Sequence, residues 1–246
     1  MPVFLLPPDA IASPLIIVPA HLVSHLRDSL RIEVGETLWF GDGQGTRYRA
    51  AITDISKRSV SARILETIRE PARHTPRVIL GQSLLKGEKM DWVVQKATEL
   101  GVDELVPIES RHSVVQLKAD RVDHQLARWQ RIAFEAAQQS EQWRVPTIAL
   151  PQSLHQFLAG HTTCRTNLIL AERRDGRSLQ TVALPSSADD GVTIVIGPEG
   201  GWSQDELMHA DQAGMNSITL GPMILRAETA AITALAIVQS RLGKLG

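Results

Sequence analysis

Two glycine-rich loops near the C-terminal end carry the residue types best suited to chemistry. The first loop is Gly197–Gly201, with the sequence GPEGG, and the second begins at Gly221-Pro222. Glycines remove side chains, so a flat ligand could approach the backbone closely and bond to its N–H and C=O groups. Each loop also has a carboxylate nearby, Glu199 or Glu228. Tight turns alone are the alternative, but two such loops in succession favour a binding site.

Both loops follow segments that are typical of buried parallel strands. These segments are Val192–Ile196 and Ser217–Leu220, which are short, apolar or β-branched, and uncharged. Ser203 stands three residues before Glu206, the spacing of a helix-starting capping box. A second helix is predicted over Ala227–Leu242. Ligands of open α/β sheets bind at the carboxyl ends of the strands. We therefore expect the two strands to be neighbours whose loops share a crevice.

The preceding hundred residues alternate between predicted strands and helices. Arg77–Leu84, Val102–Ile108 and Asn167–Ala171 favour strands, whereas Met90–Leu100 and Asp120–Gln139 have apolar residues at helical spacing. This alternation predicts an α/β fold with a parallel sheet.

Several basic residues in this region are candidates for phosphate contacts. Lys86, Lys89 and Lys96 lie on or near the polar side of the first helix, and Arg111 follows the second strand. The simpler interpretation is an ordinary solvated helix face, and the functional one is a patch that binds phosphates. His112 has no His, Asp or Glu at metal-ligand spacing, so a metal site is not expected.

The first seventy residues favour a separate, mostly β domain. Short strands alternate with glycine turns, which is typical of a small barrel. Arg31 is one of eight lysines and arginines there, but acidic residues balance them. An RNA-contacting face and an ordinary polar surface are equally compatible with this composition. Pro71–Pro76 is the best linker.

Composition sets further limits. The chain has 246 residues, 43% hydrophobic and 22% charged, with a formal net charge of −1, so bulk charge does not indicate nucleic-acid binding. Cys164 is the only cysteine, which excludes an internal disulfide and suits a reducing cytosol. No run is long enough to cross a membrane, and the N-terminus lacks the features of a secretory signal. Neither a P-loop, a G-x-G-x-x-G fingerprint nor a G-x-S-x-G motif is present.

Three separated motifs resemble one protein family. GPEGG at Gly197–Gly201, LGPMILRAETAAITAL at Leu220–Leu235 and QKATELGVDELVPIESRHSV at Gln95–Val114 are similar to the ribosomal RNA small-subunit methyltransferase E family, within the SPOUT methyltransferases. The order of a small β domain before an α/β domain also matches. The resemblance extends over nearly the whole chain.

This resemblance implies a fold and an activity. The fold would be α/β: a PUA-like β-barrel RNA-binding domain over residues 1–72, then a SPOUT domain with a C-terminal trefoil knot over 73–246. Family members transfer a methyl group from S-adenosylmethionine to N3 of a uridine in 16S ribosomal RNA. The implied partners are a second copy of the chain and small-subunit ribosomal RNA, within the assembled 30S particle. The implied location is the cytoplasm, without a metal or a membrane.

The resemblance also implies site residues. Arg226 would stabilise negative charge on the uracil ring, and Glu228 would accept the N3 proton or orient Arg226; an Arg226–Glu228 ion pair that only fixes the helix start is the alternative. Expected RNA contacts are Arg31, Lys86, Lys89, Lys96, Arg111 and Arg144. The cofactor would be held by Leu170, Ala171, Glu172, Ile196, Gly197, Pro198, Glu199, Gly200, Gly201, Leu220, Gly221, Ile224, Leu225, Arg226, Thr229 and Ala230.

Two departures from the family pattern leave alternatives open. The first residues, Met1–Phe4, contain no arginine, and the run Gln138–Gln142 has none before Arg144. A catalytically weak RNA-binding protein on the same scaffold is one alternative. An enzyme of the same fold acting on another RNA, such as transfer RNA, is the other.

Overall fold

A computed structural model of the protein describes residues 3–162, 164–171 and 176–245. The chain divides into two compact units. The first comprises Met1–Ala72 and Ala137–Val145, and the second comprises Arg73–Ala136 and Pro146–Gly246. The division is not continuous in sequence, because a short stretch beyond residue 136 belongs to the first unit.

The first unit is built on a six-stranded sheet in the order β1-β4-β5-β6-β3-β2. A 3₁₀ turn at Pro8–Ala10 and a π-helical turn at His25–Ser29 complete it. Its elements are β1 (Val3–Leu5), β2 (Ile11–Ala12), β3 (Leu15–Ile17), α1 (Ala20–Ser24), β4 (Thr37–Gly41), β5 (Thr46–Ile55) and β6 (Val60–Arg69).

Alternation along the strands builds the core of this unit. Ala50 and Ile52 of β5 are buried, while Arg49 and Thr53, which flank them along the strand, are exposed. Phe40 from β4 and Ile16 from β3 join the same core. The prediction of a mostly β first domain is therefore confirmed.

The stretch Ala137–Val145 adds to the first unit through backbone contacts. The N–H of Gly45 donates to the carbonyl of Trp143 at 3.1 Å, and that of Val145 donates to Gly43 at 2.9 Å. The N–H of Leu5 donates to Oε1 of Gln138 at 3.1 Å. These bonds satisfy backbone groups of the turn before β5.

The second unit has a larger sheet in which every recorded pairing is parallel. The strand order is β10-β8-β7-β13-β11-β14-β12, with β9 beside β8. Its elements are β7 (Arg77–Ser83), α2 (Lys89–Glu99), β8 (Glu104–Glu109), α3 (Ala119–Gln139, whose last turn enters the first unit), β9 (Thr147–Ile148), β10 (Gln152–Ser153), α4 (Leu154–His161), β11 (Thr166–Leu170), β12 (Arg177–Ser178), β13 (Gly191–Ile196), α5 (Gln204–Gln212), β14 (Asn216–Thr219) and α6 (Ala227–Arg241).

Local signals in the sequence set the ends of the helices. The predicted capping box is present at the start of α5, where Ser203 accepts from the N–H of Glu206 and the Glu206 carboxylate accepts from the N–H of Ser203. Gly214, with φ 78°, follows α5, and Gly101, with φ 75°, follows α2. Both glycines take the left-handed conformation that ends helices.

One prediction about the sheet was wrong. The strands β13 and β14 are not neighbours, because β11 lies between them and pairs with both. All five residues of β11 are buried, which is typical of a central strand in a parallel sheet that is covered on both faces. The two glycine-rich loops still leave the same edge of the sheet, one strand apart.

No helix among the described residues is long and apolar enough to cross a membrane.

Candidate functional site

The order of strands in the second unit has a switch point between β7 and β13. The chain continues from β7 to β8 on one side, whereas β13 pairs with β7 on the other side. The loops that follow β7 and β13 therefore leave in opposite directions at the carboxyl edge of the sheet, where open α/β sheets have their ligand-binding crevice. The first glycine-rich loop, Gly197–Gly201, lies at this edge.

Trp202 ties the first loop to the neighbouring strand. Its indole Nε1 donates to the carbonyl of Leu170, the last residue of β11, at 3.0 Å. A Cβ added to Gly197 would lie 3.1–3.2 Å from the indole ring. Gly197 therefore allows the ring to pack against the backbone. Sequence reasoning missed Trp202, although an aromatic residue directly after two glycines was a possible signal.

His112 holds the end of the same loop. Its Nδ1 lies 3.1 Å from the carbonyl oxygen of Gly201, and a Cβ on Gly200 would lie 2.9 Å from the Cβ of His112. Gly201 itself has φ 70°, which favours glycine. Sequence reasoning considered His112 only as a metal ligand. Among the described residues, no cluster of three or more His, Cys, Asp or Glu side chains could hold a metal ion.

Arg111, next to His112, packs against the start of α5. Its backbone N–H donates to Oε1 of Glu206 at 2.9 Å, and its guanidinium donates to Asp205 at the same distance. The guanidinium remains 66% exposed. It is accessible from solvent, although its charge has a partner.

The carboxylates of the two loops meet at one lysine. Nζ of Lys89 donates to Oε1 of Glu199 at 2.9 Å and lies 3.6 Å from Oε2 of Glu228. The Glu228 side chain is only 14% exposed, and its Oε2 is buried without a hydrogen-bond partner among the described residues. This contact is an ion pair at a distance that leaves the oxygen able to accept a hydrogen bond.

Lys89 and Glu199 are both stabilised in their charged forms. The hydrogen bond to Glu199 raises the pKa of Lys89 despite partial desolvation, with Coulombic help from Glu199 and Glu228. Burial tends to raise the pKa of Glu199, but the Lys89 hydrogen bond and the N–H groups of Glu199 and Lys86 outweigh it, so the pKa is lowered.

Arg226 is the N-cap residue of α6, and its carbonyl accepts from the N–H of Ala230 at 2.8 Å. Its backbone is extended, with φ −63° and ψ 150°, and its side chain does not cap the helix. The residue is exposed, and no ion pair joins it to Glu228. Within the described part of the chain, the ion pair that could have fixed the helix start is thus formed by Glu228 with Lys89 instead.

The second loop is open to solvent and partly apolar. Gly221 has φ 122°, and its N–H donates to Oγ1 of Thr219 at 3.2 Å. Met223 and Ile224 are 75% and 64% exposed. Exposed apolar side chains beside a backbone-lined crevice are typical of a surface that is covered by a ligand or partner.

The remaining expected site residues are dispersed. Lys96 pairs with Glu99 on α2, and Lys86 is exposed before that helix. Arg31 and Arg144 belong to the first unit, where Arg31 has φ 54° and Arg144 pairs with Glu70. Around the crevice, Leu170, Ala171, Ile196, Pro198 and Ala230 are buried, Leu220 and Leu225 are half-buried, and Thr229 is exposed. Glu172 lies outside the described residues.

Comparisons with known proteins agree with this geometry. A family model described as an RNA methyltransferase domain matches residues 73–239, and one described as an RNA methyltransferase PUA domain matches residues 18–65. Ribosomal RNA small subunit methyltransferase E of Bacillus subtilis is 30% identical over 92% of this chain and 90% of its own length.

Solved structures share the whole fold. The Neisseria gonorrhoeae ribosomal RNA small subunit methyltransferase E, bound to S-adenosylmethionine, is 32% identical with a TM-score of 0.84 and 98% of each chain covered. A Legionella pneumophila protein in complex with the same cofactor is 28% identical, with a TM-score of 0.85 and 97% of each chain covered. With both family models matched in order and relatives aligned over nearly their full length, this chain belongs to the ribosomal RNA small subunit methyltransferase E family of RNA methyltransferases.

Proposed function

We propose that this protein transfers a methyl group from S-adenosylmethionine to N3 of a uridine in 16S ribosomal RNA. The observation that carries the proposal is the pair of glycine-rich loops at the carboxyl edge of the sheet, in a fold that matches a Neisseria enzyme bound to this cofactor. The family name of the relatives supports the small-subunit RNA as substrate.

The crevice fits the cofactor chemically. Gly201 and Gly221 have no atom within 4 Å of an added Cβ, so they leave the backbone accessible for an adenine or ribose, whereas Gly197 and Gly200 make room for Trp202 and His112. A buried Glu228 oxygen has no hydrogen-bond donor among the described residues. When bound, S-adenosylmethionine supplies an electrophilic methyl group on a sulfonium. The proposed cofactor cradle comprises Leu170, Ala171, Glu172, Ile196–Gly201, Leu220, Gly221, Ile224, Leu225, Arg226, Thr229 and Ala230.

Arg226 and Glu228 take the roles at the reacting base. Uridine N3 must lose its proton before it attacks the methyl group, and the uracil ring then carries negative charge. The exposed guanidinium of Arg226 is free to approach the incoming base and stabilise this charge. Oε2 of Glu228, which accepts no hydrogen bond among the described residues, accepts the proton or orients Arg226. Alignment of the two reactants supplies much of the rate.

The RNA is held by both units. The first unit matches a PUA domain of RNA methyltransferases, which supports an RNA-binding role, with Arg31 and Arg144 as its contacts. Lys86, Lys96 and Arg111 are the candidates on the second unit, whereas the charge of Lys89 is already paired with Glu199 and Glu228. The target base leaves its stack to enter the crevice.

We also propose the assembly and the knot that the family resemblance implies. The exposed Met223 and Ile224 beside the cradle support a homodimer, since a second copy would cover them. Residues of the C-terminal sheet would form a trefoil knot. The enzyme would act in the cytoplasm, on RNA in the assembled 30S particle.

A methyl-transfer assay tests this function. Labelled S-adenosylmethionine is incubated with small ribosomal subunits from cells that lack the corresponding enzyme, and the labelled nucleotide is identified. Wild type should label uridine N3. Arg226→Ala should lower kcat about a hundredfold even at saturating cofactor, because it removes the charge that stabilises the uracil ring. Arg131→Ala is the matched control, since Arg131 is 73% exposed on α3 and pairs only within that helix.

Each outcome has a clear meaning. Label on transfer RNA instead of small subunits would replace the proposed substrate. Cofactor binding without any methyl transfer would favour an RNA-binding protein that has lost catalysis. Full activity in Arg226→Ala would keep the function but exclude the proposed role of Arg226.

A further inference from the structure

Lys89 occupies a position in which one side chain reaches three elements of the site. It is the first residue of α2, directly after the loop from β7. Its ammonium is 2.9 Å from Glu199 on the loop after β13 and 3.6 Å from Glu228 in the first turn of α6. The β7 loop, the first glycine-rich loop and the start of α6 are thereby linked through a single charge.

The N-terminal end of α2 is an electrostatically unfavourable place for the charge of Lys89. The N-terminal turn of a helix carries partial positive charge, so a lysine there is electrostatically unfavourable. Two carboxylates in the same place offset that cost. A cation in this unfavourable position is therefore best explained by its contacts with Glu199 and Glu228, not by the needs of α2.

Glu199 is also fixed from other directions. Besides the hydrogen bond from the Lys89 ammonium, the backbone N–H groups of Glu199 and Lys86 also lower the pKa of its carboxyl group and so favour the charged form. The hydrogen bond from Lys89 thus joins the start of α2 to the loop after β13. Without the ammonium, Glu199 and Glu228 would face each other as two partly buried like charges, which repel.

We propose that Lys89 is a positioning residue that sets the spacing between the two loops of the cofactor cradle. The proposal rests on the proposed function, since it takes these loops to hold S-adenosylmethionine. Lys89 contributes by holding the loops in the geometry that binds the cofactor. It touches neither the reacting base nor the methyl group.

A role as proton acceptor is excluded by its charge. The hydrogen bond to Glu199 raises the pKa of Lys89, so the ammonium stays protonated at neutral pH. A role as a phosphate contact would require the ammonium to leave both carboxylates when RNA binds.

Cofactor binding by the purified full-length protein tests the proposal. Lys89→Met should weaken S-adenosylmethionine binding about tenfold in calorimetry, which corresponds to losing one ion-pair anchor. Lys89→Arg, which keeps the charge, should restore most of that affinity. Arg128→Met is the matched control, because it removes an ion pair with Asp91 from the same first turn of α2 without contacting either loop.

Kinetics separate positioning from catalysis. In Lys89→Met the KM for S-adenosylmethionine should rise about tenfold, while kcat at saturating cofactor stays within about threefold of wild type. Glu199→Gln breaks the same pair from the other side and should raise the dissociation constant similarly. Combining the two changes should cost less than their sum, because they remove one interaction.

Three results would overturn the proposal. One is unchanged cofactor affinity in Lys89→Met with lost affinity for RNA, which would make Lys89 an RNA contact. Another is a large fall in kcat at unchanged affinity, and the third is equal loss in Arg128→Met. If wild type itself binds no S-adenosylmethionine, the proposed function fails first, and this result is distinguishable because it needs no variant.

Discussion

Gly200 is the residue at which the smallest change should disturb the site. A Cβ there would lie 2.9 Å from the Cβ of His112 and 3.3 Å from its carbonyl oxygen. Gly200→Ala must therefore displace either the first glycine-rich loop or the turn that contains His112. We expect about tenfold weaker S-adenosylmethionine binding, measured by calorimetry, because a loop shift of this kind misplaces the backbone groups of the cradle.

Gly160 provides the control for this substitution. It lies in α4, and an added Cβ would meet nothing within 4 Å. Gly160→Ala should leave cofactor affinity unchanged and raise stability by up to about 1 kcal/mol, since alanine favours helix. If Gly200→Ala binds the cofactor as well as Gly160→Ala does, the loop is not held as closely as the contact with His112 implies.

At the scale of single residues, the sequence indicated the site but not its charge pairing. Glycines and carboxylates after apolar runs were visible as local patterns, so Glu199 and Glu228 could be singled out. Their common partner Lys89 precedes Glu199 by 110 positions, and no local pattern connects the two. The sequence suggested Arg226 as the partner of Glu228, whereas the structure places Lys89 there.

At the scale of elements, local signals predicted the ends of the helices better than the order of the strands. Helical spacing of apolar residues and capping signals placed α2, α3, α5 and α6 within about two residues of their observed ends. The order of strands was less accessible, because β11 enters between β13 and β14. Sequential strands are adjacent in most folds, so a pattern read along the chain favours the wrong neighbour here.

The contact between α2 and α6 depends on one buried amide. Gln239 of α6 is fully buried, and its Nε2 donates to the carbonyls of Leu100 and Gly101, at 2.8 and 2.7 Å, where α2 ends. Gln239→Met keeps the volume but leaves both carbonyls without this donor. We expect a loss of about 1–3 kcal/mol in the free energy of unfolding, measured by urea denaturation.

A neighbouring position separates this effect from general disturbance of α6. Ser240 follows Gln239 and is exposed, so Ser240→Ala should change stability by no more than about 0.5 kcal/mol. Equal stability of Gln239→Met and wild type would mean that water satisfies the end of α2, and that the amide contributes little to the contact between the helices.

At the scale of the whole molecule, the division into units was partly hidden from the sequence. Prolines and a change of composition mark the linker near residue 72. The stretch Ala137–Val145 has no comparable signal, yet Trp143 and Val145 bond to the turn before β5. The guanidinium of Arg47 also stacks 3.9 Å from the centre of the Trp143 ring. Contacts between segments so distant in sequence are decided by tertiary packing, which no local periodicity encodes.

Asp103 links the two ends of the second unit and should make its stability depend on pH. Its carboxylate, 12% exposed, accepts from the N–H of Val78 and pairs with Arg73 at the start of the unit and with Lys244 near its end. Burial tends to raise the pKa of Asp103. The Arg73 and Val78 hydrogen bonds and the Lys244 charge outweigh it, so the folded-state pKa is below the ordinary value.

The sign of the effect follows from where the proton binds. Because Asp103 stays ionised to lower pH in the folded state than in the unfolded state, its contribution to stability is complete above the unfolded pKa of about 3.9. The contribution is lost as pH falls towards the folded pKa.

Asp103→Asn should lower the free energy of unfolding by about 1–3 kcal/mol at pH 7, between the values for exposed and buried ion pairs. Urea denaturation of wild type and Asp103→Asn at several pH values measures the difference, which cancels the titration of Glu199 and other carboxylates common to both proteins. The difference should shrink below about pH 4, since protonated Asp103 loses the charge that Asn also lacks. A difference that stays constant down to pH 3 would show that Asp103 acts by packing and neutral hydrogen bonds, and that its charge does not connect the two ends of the unit.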